Sequence, residues 1–192
     1  IGLLPHLPEL VPSHWNISGE ADAYINKTLA VFLFPSITLT LTAFLQVFRK
    51  IDPRKKNYEQ FRTAWGMIQT TITAYFAYLY AFSFYLAMNP EKAIEPFIFV
   101  GIGVLLILIG NYLGKVRQNY FIGIKTPWTL DNERVWNKTN RLAGWLFVGA
   151  GIIIILEAIV RLWVAPVSFA AIGIAVVIPV IYSYLFYGKE QK

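Results

Sequence analysis

The chain has two histidines, His6 and His14, and both lie in a proline-rich segment near the N-terminus. Histidine is a common zinc ligand, and carboxylates in the same segment could complete a metal site. These carboxylates are Glu9, Glu20 and Asp22. The spacing matches no standard zinc pattern. We therefore expect no metal or other cofactor, and we expect His14, which precedes Trp15, to form a structural hydrogen bond.

The residues that intramembrane catalysis would require are missing from the sequence. The chain has no cysteine, so thiol chemistry and disulfide bonds are excluded. The HExxH pattern of zinc proteases is absent, and no pair of carboxylates lies within the long apolar segments. The sequence therefore predicts a protein that is not an enzyme.

One oppositely charged pair lies in an apolar segment, near its predicted outer end. Glu157 precedes Arg161 by four residues, which places both on one helical face in the order that favours an ion pair. Ionisable residues inside a membrane are usually functional. Two interpretations of this predicted membrane ion pair stay open, a structural link and a contact to a ligand.

Uncharged polar residues also fall within the apolar segments. They are Gln46, Gln69, Thr70, Thr71, Thr73 and Asn111. Such residues could line a pathway, but more often they form hydrogen bonds between helices. No run of acidic residues crosses the predicted membrane region, which disfavours a proton relay.

Long apolar runs are the elements that must position these residues. Hydrophobic residues make up 56% of the 192 residues, and the mean hydropathy is +0.51. A helix needs about 20 apolar residues to cross a bilayer. The sequence predicts an all-α, polytopic helical membrane bundle with spanning helices at about 26–48, 58–88, 96–113, 141–163 and 167–187. Pro35 should kink the first helix, and Pro179 should interrupt the fifth.

This pattern divides the chain into four parts. Residues 1–25 form an outer cap segment, 26–114 hold three spanning helices, 115–140 form a loop with an interfacial helix, and 141–192 hold two spanning helices and a short tail. Glycines should let the helices approach closely. These glycines are Gly101, Gly103, Gly144, Gly149 and Gly151.

Lysine and arginine are distributed unequally between the two ends of the predicted bundle. Fourteen fall in the loop after the first helix, in residues 115–141 and in the C-terminal tail, whereas the other end has only Lys27, Lys92 and Arg161. By the positive-inside rule, the fourteen are cytoplasmic, residues 1–25 lie outside the cell membrane and the C-terminus lies inside. The net charge of +6 thus reflects topology rather than nucleic-acid binding. Five helices with an outer N-terminus imply one more helix upstream.

The N-terminal segment is expected to be ordered. Three prolines, Pro5, Pro8 and Pro12, favour extended backbone. The turn-forming residues that follow are Asn16, Ser18 and Gly19. The segment is either an extracellular cap or a stiff connector, and its length favours the cap.

The 115–140 loop has the densest pattern of turn and aromatic residues. Gly123 should mark a tight turn, and Thr126-Pro127 requires extended backbone. Thr129 then resembles an N-cap, which predicts a new helix. Trp128 and Trp136 are expected to anchor the early part of this helix at the membrane surface. The loop is therefore an interfacial elbow, and whether it also binds a partner stays open.

Two stretches of the sequence resemble known membrane families. Resemblance to the SdpI family lies in Gly110-Asn111-Tyr112, in Asn119 to Leu130 (NYFIGIKTPWTL) and in Glu133 to Arg141. The outer segment resembles the small domain DUF1648, through Leu7-Pro8, Val11-Pro12, His14-Trp15-Asn16, Gly19-Glu20 and Asp22. The chain departs from these patterns at Asn140, where the family usually has His, and at Ala23, where the outer motif usually has Gly.

The resemblance implies a non-enzymatic immunity protein that resists a membrane-active peptide toxin outside the cell. It also implies signal transduction through a cytoplasmic transcriptional repressor, without direct contact to nucleic acid, in a protein surrounded by membrane lipids. The resemblance would place partner contacts in a cytoplasmic motif of Asn119, Tyr120, Phe121, Gly123, Lys125, Thr126, Pro127, Trp128, Thr129, Trp136 and Arg141. The outer motif would be Pro12, His14, Trp15, Asn16, Gly19 and Asp22.

A small transporter or channel is the alternative function. It would need inverted repeats or helices that are broken near the membrane midplane. The sequence has no evident internal repeat, and Pro35 and Pro179 are the candidate break points.

Overall fold

The computed structural model describes residues 2, 4–16, 21–91 and 95–191. Within these residues, five helices are long and apolar enough to cross a membrane. In chain order the helices are α1 (Lys27–Ile51), α2 (Arg62–Met88), α3 (Glu95–Leu113), the short α4 (Pro127–Asp131), α5 (Glu133–Val160) and α6 (Val164–Glu190). Two short 3-10 helices cover Leu4–His6 and Lys55–Glu59. The predicted helical membrane bundle with five spanning helices is confirmed.

The start of α5 differs from the prediction. We expected a helix after Thr129 to run toward the membrane with its early part along the surface, and the fourth span to begin near Arg141, but α5 begins at Glu133 and continues into the apolar segment. The side chain of Asn132 accepts hydrogen bonds from the backbone N–H groups of Arg134 and Val135. This N-cap starts the helix early, and only the five residues of α4 form a separate helix before it.

Both helices that contain an internal proline are continuous. α1 includes Pro35 and α6 includes Pro179 without a change of element. The predicted interruption of the last helix is therefore wrong. A proline removes one backbone donor, and in an apolar helix the remaining hydrogen bonds keep the segment helical.

Glycines bring α3 and α5 into backbone contact at two levels. A Cβ atom on Gly103 would lie 2.7 Å from the carbonyl oxygen of Gly151, and one on Gly110 would lie 2.7 Å from that of Gly144. Side chains larger than hydrogen do not fit there, which explains glycine at these positions. The expected close approach is found at Gly103, Gly144 and Gly151, whereas a Cβ on Gly149 would meet nothing within 4 Å.

Polar side chains connect α1 to α2. The hydroxyl oxygens of Thr42 and Thr73 are 3.0 Å apart, and the Nε2 of Gln46 donates to the Oε1 of Gln69 at 3.4 Å. These residues thus form bonds between helices, as membrane-depth polar groups commonly do. Asn111, in contrast, donates to the carbonyl of Ile107 within its own helix.

The N-terminal segment forms a β-hairpin that rests on α1 and α2. Strands β1 (Leu10–Trp15) and β2 (Ala21–Asn26) pair in an antiparallel sheet. Leu7 and Val11 pack into a buried cluster with Ala30, Val31 and Phe84, and the hydroxyl of Ser83 donates to the carbonyl of Pro12 at 2.8 Å. Extended backbone was expected from the prolines, but strand pairing was not.

Candidate functional site

The two ends of the bundle carry different surfaces. We call the end with β1 and β2 the hairpin end, and the end formed by residues 49–61 and 114–132 the basic end. At the hairpin end, a cavity of about 320 Å³ lies between the hairpin, α1 and α2. Its lining is mostly aromatic and aliphatic, with residues Ser13, Trp15, Phe34, Ile37, Thr38, Tyr75, Phe76, Leu79, Tyr80, Phe82, Ser83 and Ile98. This cavity suits an apolar ligand that presents a few hydrogen-bonding groups.

The residues of the outer motif take different positions around this cavity. Trp15 lines the cavity, and Pro12 is buried and binds α2 through its carbonyl. His14 and Asp22 face each other across the hairpin, with Nδ1 and Oδ1 2.5 Å apart. The expected structural hydrogen bond of His14 is therefore present. Asn16 follows the end of β1, while Gly19 lies outside the described residues.

A buried carboxylate organises the basic end. Asp52 is 2% exposed, and it accepts hydrogen bonds from the hydroxyl of Tyr58 at 2.9 Å and from the backbone N–H groups of Arg54 at 2.7 Å and Tyr120 at 2.9 Å. Burial, then the hydrogen bond to Asp52 and its negative charge, raise the pKa of Tyr58 well above its ordinary value. Asp52 was not identified as a candidate residue from the sequence, although an acidic residue among basic residues and directly before a proline is a recognisable signal.

Asn119 closes the turn that follows α3. Its side chain is fully buried. Its Oδ1 accepts from the N–H groups of Phe121 at 2.8 Å and Ile122 at 2.7 Å, and its Nδ2 donates to the carbonyls of Arg117 and Ile122. All bonding groups of this amide are used, so Asn119 shapes the loop from within.

Gly123 lies at the tight turn that the sequence predicted. Its φ angle is +122°, which favours glycine. A Cβ there would lie 2.7 Å from Oδ1 of Asn140 and 2.9 Å from the ring of Trp136. The same Oδ1 accepts a hydrogen bond from the N–H of Ile124 at 2.8 Å. Glycine is therefore required here by both conformation and space.

Thr126, not Thr129, is the N-cap of α4. Each threonine hydroxyl accepts the backbone N–H of the other, so the two form a capping box. The predicted N-cap at Thr129 is wrong because the Thr126-Pro127 step already starts the helix. The hydroxyl of Thr126 also lies 3.1 Å from that of Ser183, which connects the loop to α6.

Trp136 does not anchor the protein at the membrane surface. Its side chain is fully buried, and its Nε1 donates to the carbonyl of Val116 at 2.7 Å. The predicted anchor is wrong here because the indole has an internal partner and a packed core around it. Trp128 is half-buried, and its ring packs against Tyr184 of α6 at 5.1 Å between centroids.

Burial divides the residues of the predicted cytoplasmic motif. Asn119, Thr126, Thr129 and Trp136 are buried and cannot contact a partner while the loop keeps this structure. Phe121, Gly123 and Trp128 are half-buried. The exposed members are Tyr120, Lys125, Pro127 and Arg141. Of the predicted motif, these exposed side chains are the ones that a partner could reach most easily.

Two known protein families match separate parts of the sequence. Residues 115–183 match the SdpI/YfhL protein family. The chain carries an SdpI-type region. Residues 1–39 match DUF1648, a domain of unknown function. The chain is also 29% identical over 188 residues to the "Immunity protein SdpI" of Bacillus subtilis (strain 168), an alignment that covers 97% of this chain and 88% of that protein. No solved structure is significantly similar to the chain.

The departure of this chain from the SdpI pattern at Asn140 lies in its core. Asn140 is fully buried on α5. Its Nδ2 donates to the carbonyl of Trp136, while its Oδ1 holds the N–H of Ile124. The position therefore supports the turn at Gly123 and lies away from the exposed surface.

The predicted ion pair in the SdpI-type region is not formed. Arg161 ends α5 in a left-handed conformation, with φ of 60°. The carboxylate of Glu157 accepts a hydrogen bond from the backbone N–H of Trp163 instead of pairing with Arg161. The ion pair was inferred from helical spacing, and the helix ends before that spacing applies. Glu157 thus caps the turn between α5 and α6.

The histidines and acids of the outer segment that the structure describes do not converge, and Glu20 lies outside the described residues. In the part of the chain that the structure describes, no three His, Cys, Asp or Glu side chains form a group that could hold a metal ion. Among these residues, His14 pairs with Asp22 alone, and Glu9 forms an ion pair with Lys27 at 2.9 Å.

Proposed function

We propose that this protein is a non-enzymatic, immunity-type membrane protein that binds a membrane-active peptide toxin at its hairpin end. The cavity under the hairpin carries this proposal. The similarity to a protein named as an immunity protein supports the same function.

The cavity has the properties that an amphipathic peptide would need. Its walls are formed mainly by aromatic rings, and Phe34 and Tyr80 pack edge-to-face at its side. A Leu or Phe side chain that leaves water for such a site contributes about 1.5–3 kcal/mol. The hydroxyl of Ser13 lies at the lining for polar atoms of the peptide, and that of Thr38, which already donates to the carbonyl of Phe34 at 3.1 Å, could accept one further hydrogen bond.

The distribution of charge supports one orientation for this function. In it, the basic end faces the cytoplasm and residues 1–25 form a cap outside the cell. A toxin in the outer leaflet would then meet the hairpin and the cavity directly. Residues 115–140 would form a cytoplasmic elbow, and a regulator such as a repressor would contact its exposed side chains, Tyr120, Lys125 and Pro127.

Helix α1 provides a physical connection between the two ends. Phe34 and Ile37 of α1 line the cavity, while Phe48, near the other end of the helix, stacks on Phe121 with 4.5 Å between ring centroids. A peptide that shifts α1 would therefore change the surface around Phe121. Small helix shifts of this kind are a common way to transmit binding.

A variant that fills the cavity tests the proposal. Ile37→Trp would occupy the cavity, and Leu39→Trp is the matched control, since Leu39 is on the same helix, is 70% exposed and does not line the cavity. Bacteria sensitive to Sdp-type peptides should survive when they express the unmodified protein or Leu39→Trp, and should be killed when they express Ile37→Trp. Killing that is the same with and without the unmodified protein would exclude this function.

The structure gives little support to a transporter. Transport through broken helices requires exposed backbone at the membrane midplane. α1 and α6, which contain the candidate break points, are continuous across their prolines.

A further inference from the structure

Two adjoining cavities lie between α3 and α5 at the basic end. One, of about 540 Å³, has four cationic residues in its lining, Arg117, Arg134, Lys138 and Arg141, together with Gly114, Asn137 and one carboxylate, that of Glu133. The other, of about 350 Å³, continues along the helices past Trp145 and Val148. Gly114 and Arg141 line both cavities, so the two form one site. The first cavity is cationic, and the second has an apolar part at Trp145 and Val148, with Asn111 and Lys115 also in its lining.

Part of the positive charge at this site is not compensated. Arg134 forms an ion pair with Glu190 at 3.0 Å, and Arg117 donates to Oδ1 of Asn137 at 3.5 Å. Within the described residues, Lys138 and Arg141 have neither an ion-pair nor a hydrogen-bond partner, and both are exposed. A single carboxylate, Glu133, does not balance these cations. The site therefore attracts an anion.

The residues that line the site follow one face of α5. Lys138, Arg141, Trp145 and Val148 are spaced by three, four and three positions, which places them in a stripe about 15 Å long. Gly110 and Gly144 form the floor of the groove beside this stripe, where the backbones of α3 and α5 are in contact. Trp145 is 70% exposed at its edge. The stripe thus runs from charged to apolar over about half of a bilayer core.

We propose that this site binds one anionic phospholipid, with the phosphate at Lys138 and Arg141 and an acyl chain along Trp145 and Val148. A lipid is the occupant that matches both parts, since a free phosphate would leave the apolar groove empty. Anionic lipids are also enriched in the cytoplasmic leaflet, and in the proposed orientation the cationic part of this site faces that leaflet. The inference itself depends only on the lining of the site and not on the immunity function.

Retention of lipid by the purified protein tests the headgroup contact. Native mass spectrometry would compare phosphatidylglycerol with phosphatidylcholine of identical acyl chains. The double variant Lys138→Gln/Arg141→Gln should weaken phosphatidylglycerol binding by on the order of tenfold or more. Lys50→Gln/Lys56→Gln removes the same charge from exposed positions outside the site and should leave binding unchanged. Equal losses in both variants, or equal binding of the two lipids by the unmodified protein, would overturn the proposal.

The acyl chain is tested separately. Phosphatidylglycerol with brominated chains should quench tryptophan fluorescence, and Trp145→Phe should remove much of this quenching. Inorganic phosphate should neither displace the lipid nor raise the melting temperature as the lipid does. Quenching that persists unchanged in Trp145→Phe, or full replacement of the lipid effect by phosphate, would show that no lipid chain occupies the groove.

Discussion

The carboxylate of Asp52 accepts a hydrogen bond from the backbone N–H of Tyr120 at 2.9 Å, across 68 positions of the chain. This bond joins the segment after α1 to the loop after α3. The same carboxylate accepts a hydrogen bond from the hydroxyl of Tyr58 in its own segment, so two stretches of the chain meet at one buried charge. An acid in this position stabilises the basic end only while all its partners are present.

Removal of this carboxylate should destabilise the protein. Asp52→Ala leaves the Tyr58 hydroxyl and two backbone N–H groups without their acceptor, which should lower the free energy of unfolding by about 3 kcal/mol. Asp52→Asn should lower the free energy of unfolding by less, because its amide oxygen still accepts a hydrogen bond. Thermal unfolding in detergent would measure both, with the exposed Glu91→Ala as control. Equal stability of Asp52→Ala and Glu91→Ala would contradict this role.

Tyr58 should make stability sensitive to alkaline pH. Its pKa in the folded protein is raised by burial and by Asp52, so the folded state favours the protonated phenol. This contribution is complete below the unfolded pKa of about 10 and is lost as the pH rises above it. Melting temperatures of the unmodified protein should fall more steeply above about pH 10 than those of Tyr58→Phe. Parallel profiles for the two proteins would show that Tyr58 does not contribute.

The glycine contacts between α3 and α5 should not tolerate even one methyl group. In Gly110→Ala the new Cβ would lie 2.7 Å from the carbonyl oxygen of Gly144, and relief of this clash should cost about 1–3 kcal/mol. Gly149→Ala and Gly173→Ala meet nothing within 4 Å and serve as helix controls. They should be neutral or slightly stabilising because alanine favours helix. If the free energy of unfolding of Gly110→Ala equals that of these controls, α3 and α5 do not touch as described.

Gly123→Ala should disrupt the loop that precedes α4. The position combines a φ of +122° with a Cβ site 2.7 Å from Oδ1 of Asn140. Backbone strain alone costs about 1–2 kcal/mol, and displacement of Asn140 would add to it. Limited proteolysis at residues 114–126 should become faster in this variant, while Gly188→Ala, in open space at the end of α6, should behave like the unmodified protein. Unchanged cleavage would contradict the requirement for glycine.

Continuous apolar runs made the five spanning helices predictable from sequence. Each helix carries enough hydrophobic residues to be identified on its own, and the glycines of α3 and α5 indicated close packing. The turn at Gly123 was predictable for a similar reason, since a glycine between apolar residues is a local signal. These features depend on residues that are near each other in the chain.

Three differences between the predictions and the structure concern residues whose partners the sequence spacing did not indicate. Tryptophan is a typical membrane anchor, but the indole N–H of Trp136 donates a hydrogen bond to the carbonyl of Val116 in the core. In the sequence, Asp52 was not distinguished from other loop residues, and its role follows from its hydrogen bonds with Tyr58 and Tyr120 in the folded protein. Glu157 and Arg161 have the spacing of an ion pair, but the helix stops at that point. The outcomes for Trp136 and Asp52 depend on tertiary contacts, and that for Glu157 and Arg161 depends on where the helix ends; spacing alone encodes neither.

The paired glycines also limit where anything could pass through this protein. Because Gly103 faces Gly151 and Gly110 faces Gly144 with no room for a methyl group between them, the seam between α3 and α5 is sealed against water. The contact between α1 and α2 is different, because hydroxyl and amide pairs rather than close backbone contact connect these helices. Any permeability measured for this protein should therefore respond to changes on that side and be indifferent to the glycine seam.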